Sequence, residues 1–242
     1  MRKSKIILSV IWCLTVLQSY SQTNPRMVNT QYMYTVFFED FIGTSVDRSI
    51  WNVQNDYKRE LGVLIDSPQT LAVSNGNLAL TMLYSPGYDA GKYSGDYICA
   101  EIGSKQLFRY GSFECSAKYA HEKGSWPAFW IIGGDGTPCP PGGYGNEIDI
   151  SEFKCDDSNN TIDHVIHRYY SPSNCDVSNV DEKDFYPYGG MNFDNNFHLF
   201  KCIWSPDNIS YYVDGVLTHQ VFNSGQEWYP NLYLSVILSE QV

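Results

Sequence analysis

Charge is scarce in this chain of 242 residues: Asp, Glu, Lys and Arg together make up 18 %. Basic residues are the scarcer sign, 16 against 27 acidic ones, for a net charge of −11. With no cluster of Lys or Arg, such a chain repels nucleic acid and sulfated polyanions. No stretch reaches the roughly 20 apolar residues that a membrane-spanning helix needs. Long segments with apolar residues at helical spacing are missing too, which removes the helical fold classes. No Cys-x-x-Cys pair occurs, so the cysteines do not have zinc-site spacing. No repeat of fixed period is present, which excludes solenoids and propellers.

What the chain has in plenty is aromatic: 19 Tyr, 12 Phe and 6 Trp, 15 % of all residues. That suffices for a core with rings left over for a binding surface, and it excludes disorder over most of the length. The N-terminus carries the three parts of an export leader in order: basic MRKSK, apolar Ile6 to Leu17, and small Ser19 and Ser21 ahead of Gln22. The expectation is a signal peptide over residues 1–21, cleaved near Ser21, and a secreted protein, extracellular or periplasmic. Removing Arg2, Lys3 and Lys5 with it takes the charge from −11 to −14. Residues 22–242 then form one domain. Cys13 leaves with the leader. Cys99, Cys115, Cys139, Cys155, Cys175 and Cys202 remain, an even number that permits disulfides in an oxidising compartment without fixing their pairing. Cys99 and Cys115 are placed to meet across a hairpin, Cys155 and Cys175 bracket a polar segment, and Cys202, inside the apolar FKCIW, reads equally as a buried thiol.

Short runs rich in β-branched and aromatic residues recur between Gly, Asn, Asp and Pro, the pattern of an all-β sandwich. Leu71–Val73 and Leu78–Met82 flank Asn75-Gly76-Asn77, and Ile209–Val213 and Val216–Val221 flank Asp214-Gly215; both are hairpin signals, because these turn residues tolerate positive φ. Further strands are expected at Phe108–Tyr119, Ala128–Ile132, Glu147–Glu152, Ile162–Tyr170 and Phe197–Trp204. The acidic DEKD at 181–184 and the polar stretch from Cys155 to Asn160 read as solvated loops.

Chemistry concentrates in Glu147-Ile148-Asp149-Ile150-Ser151-Glu152. Side chains alternate on a strand, so Glu147 and Asp149 share a face while Ile148 and Ile150 take the other. Glu152, five residues from Glu147, has the wrong parity unless a β-bulge adds one residue near Ile150 and Ser151. With that bulge three acids line one face, and the two Glu approach the gap of about 5 Å used by retaining glycosidases. Crowding separates their pKa values, so that one stays anionic while another holds a proton. The competing reading is an amphipathic strand with solvated acids. About twenty residues earlier, Trp126 and Trp130 in GSWPAFW share one face of an extended segment, as rings that stack on sugars do, although either alone reads equally well as core.

FFEDFIGTSVDRSIWNV, RYGSFECSAKY, GSWPAFWIIG, NEIDISE and FHLFKCIWSPDNISYYVDG together resemble glycoside hydrolase family 16, the laminarinase-like and agarase-like retaining enzymes. The resemblance runs from Phe37 to the end. It implies a concanavalin-like β-jelly roll of two curved antiparallel sheets with a concave cleft. It implies Glu147 as nucleophile, Asp149 as its helper, Glu152 as general acid/base, Trp126 and Trp130 in the sugar cleft, and His167 near the acid/base. His164 falls on the opposite face by parity. Two departures stand out: Glu101 in CAEIGSK occupies a position where many β-1,3-glucanases of the family have Arg, and the family's closing VDYVRVY-like strands are not found before Val242, as in a truncated chain. No catalytic cofactor is implied, and a structural calcium, common in the family, has no assignable ligands. The expected activity is endo-hydrolysis of a β-linked polysaccharide, β-1,3- or mixed β-1,3/1,4-glucan, by a monomer. A neutral galactan is the alternative substrate, and a lectin-like binding protein on the same fold the alternative class.

Overall fold

The computed structural model describes residues 6–21, 31–89, 91–133, 144–155, 161–170, 176–185, 192–226 and 229–242. These residues form strands and no helix: β1 (Ile6–Ser21), β2 (Gln31–Glu39), β3 (Trp51–Val53), β4 (Tyr57–Arg59), β5 (Gly62–Leu64), β6 (Leu71–Ser74), β7 (Asn77–Asp89), β8 (Ser94–Phe108) and β9 (Gly111–Lys118). The chain continues through β10 (Trp126–Gly133), β11 (Tyr144–Glu152), β12 (Ile162–Tyr170), β13 (Asp176–Phe185), β14 (His198–Trp204), β15 (Asn208–Val213), β16 (Val216–Phe222) and β17 (Leu234–Gln241).

Two sheets result. In the outer sheet the order β16–β15–β14–β9–β1 leads to β2 and β7, which share the far edge of β1. The site-bearing sheet runs β13–β12–β11–β10–β17–β8–β3. The strand β8 belongs to both: Ile98 pairs with Leu83 of β7, and two residues on, Ala100 pairs with Glu240 of β17. The short β5 runs parallel to β8, from Gly62 opposite Tyr97 to Leu64 opposite Cys99, and carries β4 on its other edge.

Both expected hairpins form. Asn75 and Gly76 have φ of 52° and 71°, Asp214 and Gly215 of 50° and 79°, the twist that lets two residues join right-twisted strands. Strand burial follows sequence periodicity. The outer-sheet β14 alternates buried and more exposed positions along HLFKCIW, whereas β10 and β17 are buried along almost their whole length. Both strands are therefore covered on both faces, β10 by an almost wholly apolar run and β17 with Ser235, Ser239, Glu240 and Gln241 buried among its apolar residues.

Between the sheets Phe37, Trp51, Phe108, Phe113, Phe129 and Phe200 belong to the main core. Phe37 meets Trp51 edge-on at 5.5 Å, and Tyr119 stacks on Phe200 at 4.9 Å, geometries that suit the ring quadrupole. The buried indole nitrogens have acceptors: Trp51 donates to Glu39 at 3.0 Å and Trp204 to the Pro230 carbonyl at 3.1 Å.

Five expectations need revision or placing. The single strand expected at 108–119 is broken, because Tyr110 adopts φ 62° and ends β8 before β9 starts. The acidic 181–184 segment lies within β13, whose only ladder partner among the described residues is β12; an edge strand tolerates charge because one side of its backbone faces solvent. Cys99 does not bridge Cys115: Cys99 and Cys202 are buried free thiols, and β8 and β9 are not ladder partners. Cys139, Cys175 and residues 156–160 lie outside the described residues. The apolar segment read as a leader stands as β1 inside the outer sheet, with Ser21 opposite Gln31 and Leu17 opposite Ser112.

Candidate active site

The bulge required by parity is present in β11. Against β12, Asp149 pairs with Val165 and Glu152 with Asp163, so Ile150 and Ser151 together oppose the single residue His164. Against β10 the ladder steps from Phe129–Ser151 to Trp130–Asp149. The extra residue brings Glu152 round to the face of Glu147 and Asp149. One row across the sheet then reads Glu101, Ser239, Ala128, Glu152, Asp163, and the next Gly103, Ile237, Trp130, Asp149, Val165. Ala128, Trp130, Ile132 and Ile237 form a small apolar cluster separate from the main core, and Glu147, Asp149 and Glu152 lie beside it in the ladder. Ile148 and Ile150 belong to the main core instead.

Two core-side groups hold the bulge. The Ile150 carbonyl accepts from His164 Nδ1 at 2.7 Å, and His164 Nε2 lies 2.8 Å from the Thr218 hydroxyl. Burial pushes the His164 pKa down to about 4. The ring is therefore neutral and donates from Nδ1, while Nε2 and the Tyr211 carbonyl, 3.1 Å from the same hydroxyl, both lie within reach of the single Thr218 proton. It stacks on Tyr211 at 4.6 Å. Ser151 Oγ shares a hydrogen bond of 2.5 Å with the hydroxyl of Tyr119, whose own pKa burial raises. Nothing in the sequence pointed to Tyr119 or Thr218, since the bulge's backbone needs become visible only with its geometry.

All three acids are largely buried: Glu147 is 9 % exposed, Asp149 2 % and Glu152 7 %. Charges so placed demand protonation or partners. Burial, reinforced by Glu152, raises the Asp149 pKa well above the ordinary carboxylate value, and Asp149 is hydrogen-bonded to Glu147. Asp149 and Glu147 accordingly hold one proton between them, joined by their hydrogen bond. His167 stands directly opposite Glu147 in the ladder, and its Nε2 lies 2.8 Å from Asp149 Oδ2, close but not aligned as a hydrogen bond. The resemblance implied a place near Glu152, at the other end of the row of acids.

Trp126 is half-buried and donates from Nε1 to Glu152 Oε1 at 2.7 Å. Lys154 lies 4.8 Å over its ring and 3.6 Å from both Glu152 and Asp163. Trp130 is 3 % exposed and donates to Ser239 Oγ at 3.1 Å, with the guanidinium of Arg59 5.1 Å over its ring. Among the described residues six buried side-chain atoms lack a hydrogen bond, and three of them, Asp149 Oδ2, Glu152 Oε2 and His167 Nδ1, sit in this cluster. Unsatisfied polar atoms gathered in one place mark where a polar ligand completes the network. Glu147, Asp149 and His167 also bring ligand atoms within 4.8 Å of one another, a donor set with the composition of a divalent-metal site. The proton shared by Asp149 and Glu147 argues for acid/base use of the same groups.

A two-sheet β sandwich with a bulged strand of paired carboxylates defines the class of jelly-roll glycanases. Within it the chain belongs to the glycosyl hydrolases family 16, whose model matches residues 58–241. It is 28 % identical over 217 residues to glucan endo-1,3-beta-glucosidase A1 of Niallia circulans, covering 81 % of this chain and 30 % of that protein. Endo-1,3-1,4-beta-glycanase ExsH of Rhizobium meliloti is 27 % identical over 168 residues, 68 % of this chain and 32 % of the relative. The chain thus spans about a third of the length of these curated relatives. The catalytic domain of an endo-1,3-beta-glucanase (laminarinase) from Thermotoga petrophila superposes with a TM-score of 0.65 at 25 % identity, covering 86 % of both chains.

Proposed function

We propose that the chain is a secreted, endo-acting retaining hydrolase of a β-1,3- or mixed β-1,3/1,4-linked glucan, exported by cleavage near Ser21 and working as a monomer. The observation that carries this reading is the bulge in β11, which gathers Glu147, Asp149 and Glu152 on one face. Glu147, as the carboxylate once the proton it shares with Asp149 rests on Asp149, attacks the anomeric carbon. Glu152, positioned by the Trp126 indole, gives its proton to the departing glycosidic oxygen as the old C–O bond breaks. Glu152, then a base, takes a proton from water, whose oxygen displaces Glu147 and releases the sugar with its configuration retained. Trp126 offers the sugar a ring at the cleft surface. Trp130 lies deeper, as its floor. The names of the two relatives given above support a glucan, and the net charge of −11 disfavours heavily sulfated chains.

The test is a panel of laminarin, lichenan, agarose and carrageenan with sizing of the products and a chelator arm. Short oligosaccharides from laminarin or lichenan, unaffected by chelator, are expected. Cleavage of agarose alone would move the substrate to a neutral galactan. Binding without cleavage of any of them would replace the enzyme by a lectin-like protein, and loss of activity on chelation would transfer the Glu147, Asp149 and His167 cluster to a metal.

A further inference from the structure

One buried acid of the site-bearing sheet has no part in the chemistry above. Glu101 of β8 is 1 % exposed and lies in the same cross-strand row as Glu152. Both its oxygens are taken by Arg59, Nε to Oε2 at 3.1 Å and Nη2 to Oε1 at 3.3 Å, the forked geometry that fixes a guanidinium in plane and position. Arg59 comes from the short β4, whose ladder partner is β5. Its guanidinium lies 5.1 Å from the Trp130 ring and 5.6 Å from the Tyr57 ring. Burial pulls its pKa down, but Glu101, Tyr57 and Glu147 more than offset that, so the charge stays and is felt at Glu147. The side chain is 23 % exposed, and Nη1 has no hydrogen-bond partner among the described residues. A buried ion pair is a weak source of stability. One held beside a nucleophile, with a donor left over, invites another role.

We propose that Arg59 is a specificity-determining residue: clamped by Glu101 against Trp130, it presents Nη1 to a hydroxyl oxygen of the sugar whose anomeric carbon Glu147 attacks. Because Glu101 cancels its charge, the pair selects a neutral hexose by hydrogen bonding and gives no preference to an anionic one. Tyr57, 41 % exposed on the same strand, extends the ring surface outward from Trp130. This inference rests on the glycanase reading.

The experiment removes both charges together, Arg59→Met with Glu101→Gln, so that no unpaired ion is left in the fold. Binding of laminari- and mixed-linkage oligosaccharides is measured by calorimetry in the Glu147→Gln background, and kcat and KM in the otherwise wild-type enzyme. Losing a hydrogen bond from a charged donor should weaken binding and raise KM by about tenfold or more, with kcat less affected. Arg59→Lys, which keeps the charge without the fork, should lose part of this. The exchange Arg59→Glu with Glu101→Arg, which returns a guanidinium from β8, should regain part. Unchanged binding and KM in a cooperatively folded neutral pair overturn the proposal; if that pair does not fold, an unchanged KM in Arg59→Lys does so. Cleavage by the wild type with no effect of these variants removes Arg59 alone. If the wild type cleaves nothing and Glu147→Gln binds nothing, the glycanase reading fails and this one with it.

Discussion

The two faces of β11 and β12 treat polar groups in opposite ways. Toward the core, His164 and Ser151 are paired with the Ile150 carbonyl, Thr218 and Tyr119, and Ile148, Ile150, Ile162 and Ile166 fill the remaining space. On the opposite face, Asp149, Glu152 and His167 each keep a buried atom with no hydrogen bond. His164 and His167, three residues apart, show the contrast within one strand: the first is a neutral brace for the bulge, the second an incompletely bonded neighbour of the acids. A fold saturates its polar groups where it needs rigidity and leaves them wanting where a substrate will supply the missing partners.

Substitutions on the two faces should therefore separate turnover from stability. The largest effect belongs to Glu147→Gln, which should reduce kcat by about 10³-fold or more while the melting midpoint stays or rises, since one of three crowded acids loses its charge. Unchanged turnover would remove the nucleophile assignment. On the opposite face Ile150→Ala should destabilise by about 2–5 kcal/mol in denaturant unfolding, through the cavity it opens beneath the bulge. A loss well under that range would mean the bulge is not braced by the core.

The pH dependence of His164 comes next. Its folded pKa, about 4, lies below its ordinary 6.5, so between these values the unfolded chain binds more protons. Its contribution is complete above pH 6.5 and is lost as pH falls through 4, a swing on the order of 3 kcal/mol. Asp149, with a raised folded pKa, works in the opposite sense, favouring the folded state at low pH and losing that contribution as pH rises. The His164 share is thus read as the difference between wild type and His164→Gln in urea unfolding from pH 4 to 7, and parallel curves would contradict the neutral brace. His167→Ala should give the smallest change: a decrease in kcat of about tenfold, with stability altered by no more than about 0.5 kcal/mol. A larger stability loss would place His167 with the core residues.

Local chemistry made much of this legible before the fold was known. Asn75-Gly76 and Asp214-Gly215 announce their hairpins through the φ they demand, and parity alone requires an extra residue between Asp149 and Glu152. Strand interruptions were harder: only Gly111, at φ 135°, marks the turn after Arg109-Tyr110, where the chain passes from one sheet to the other between β8 and β9. The strand at 181–184 was masked by charge, which an edge position accommodates. Arg59 was out of reach, since its partner Glu101 lies 42 positions away and is brought to it by the parallel pairing of β5 with β8. The signal that could have found it is an acid amid the apolar run of β8, which a buried setting obliges to take a cation.

The position of β1 bears on the export proposed above. Ladder hydrogen bonds do not require covalent continuity, and β1 spans Ile6–Ser21, ending at the expected cleavage point. The proposed hydrolysis there would convert an intramolecular strand into a separate peptide held by mass action. Its occupancy between β9 and the β2–β7 edge would then depend on concentration and on whatever other strand competes for the same row of amides.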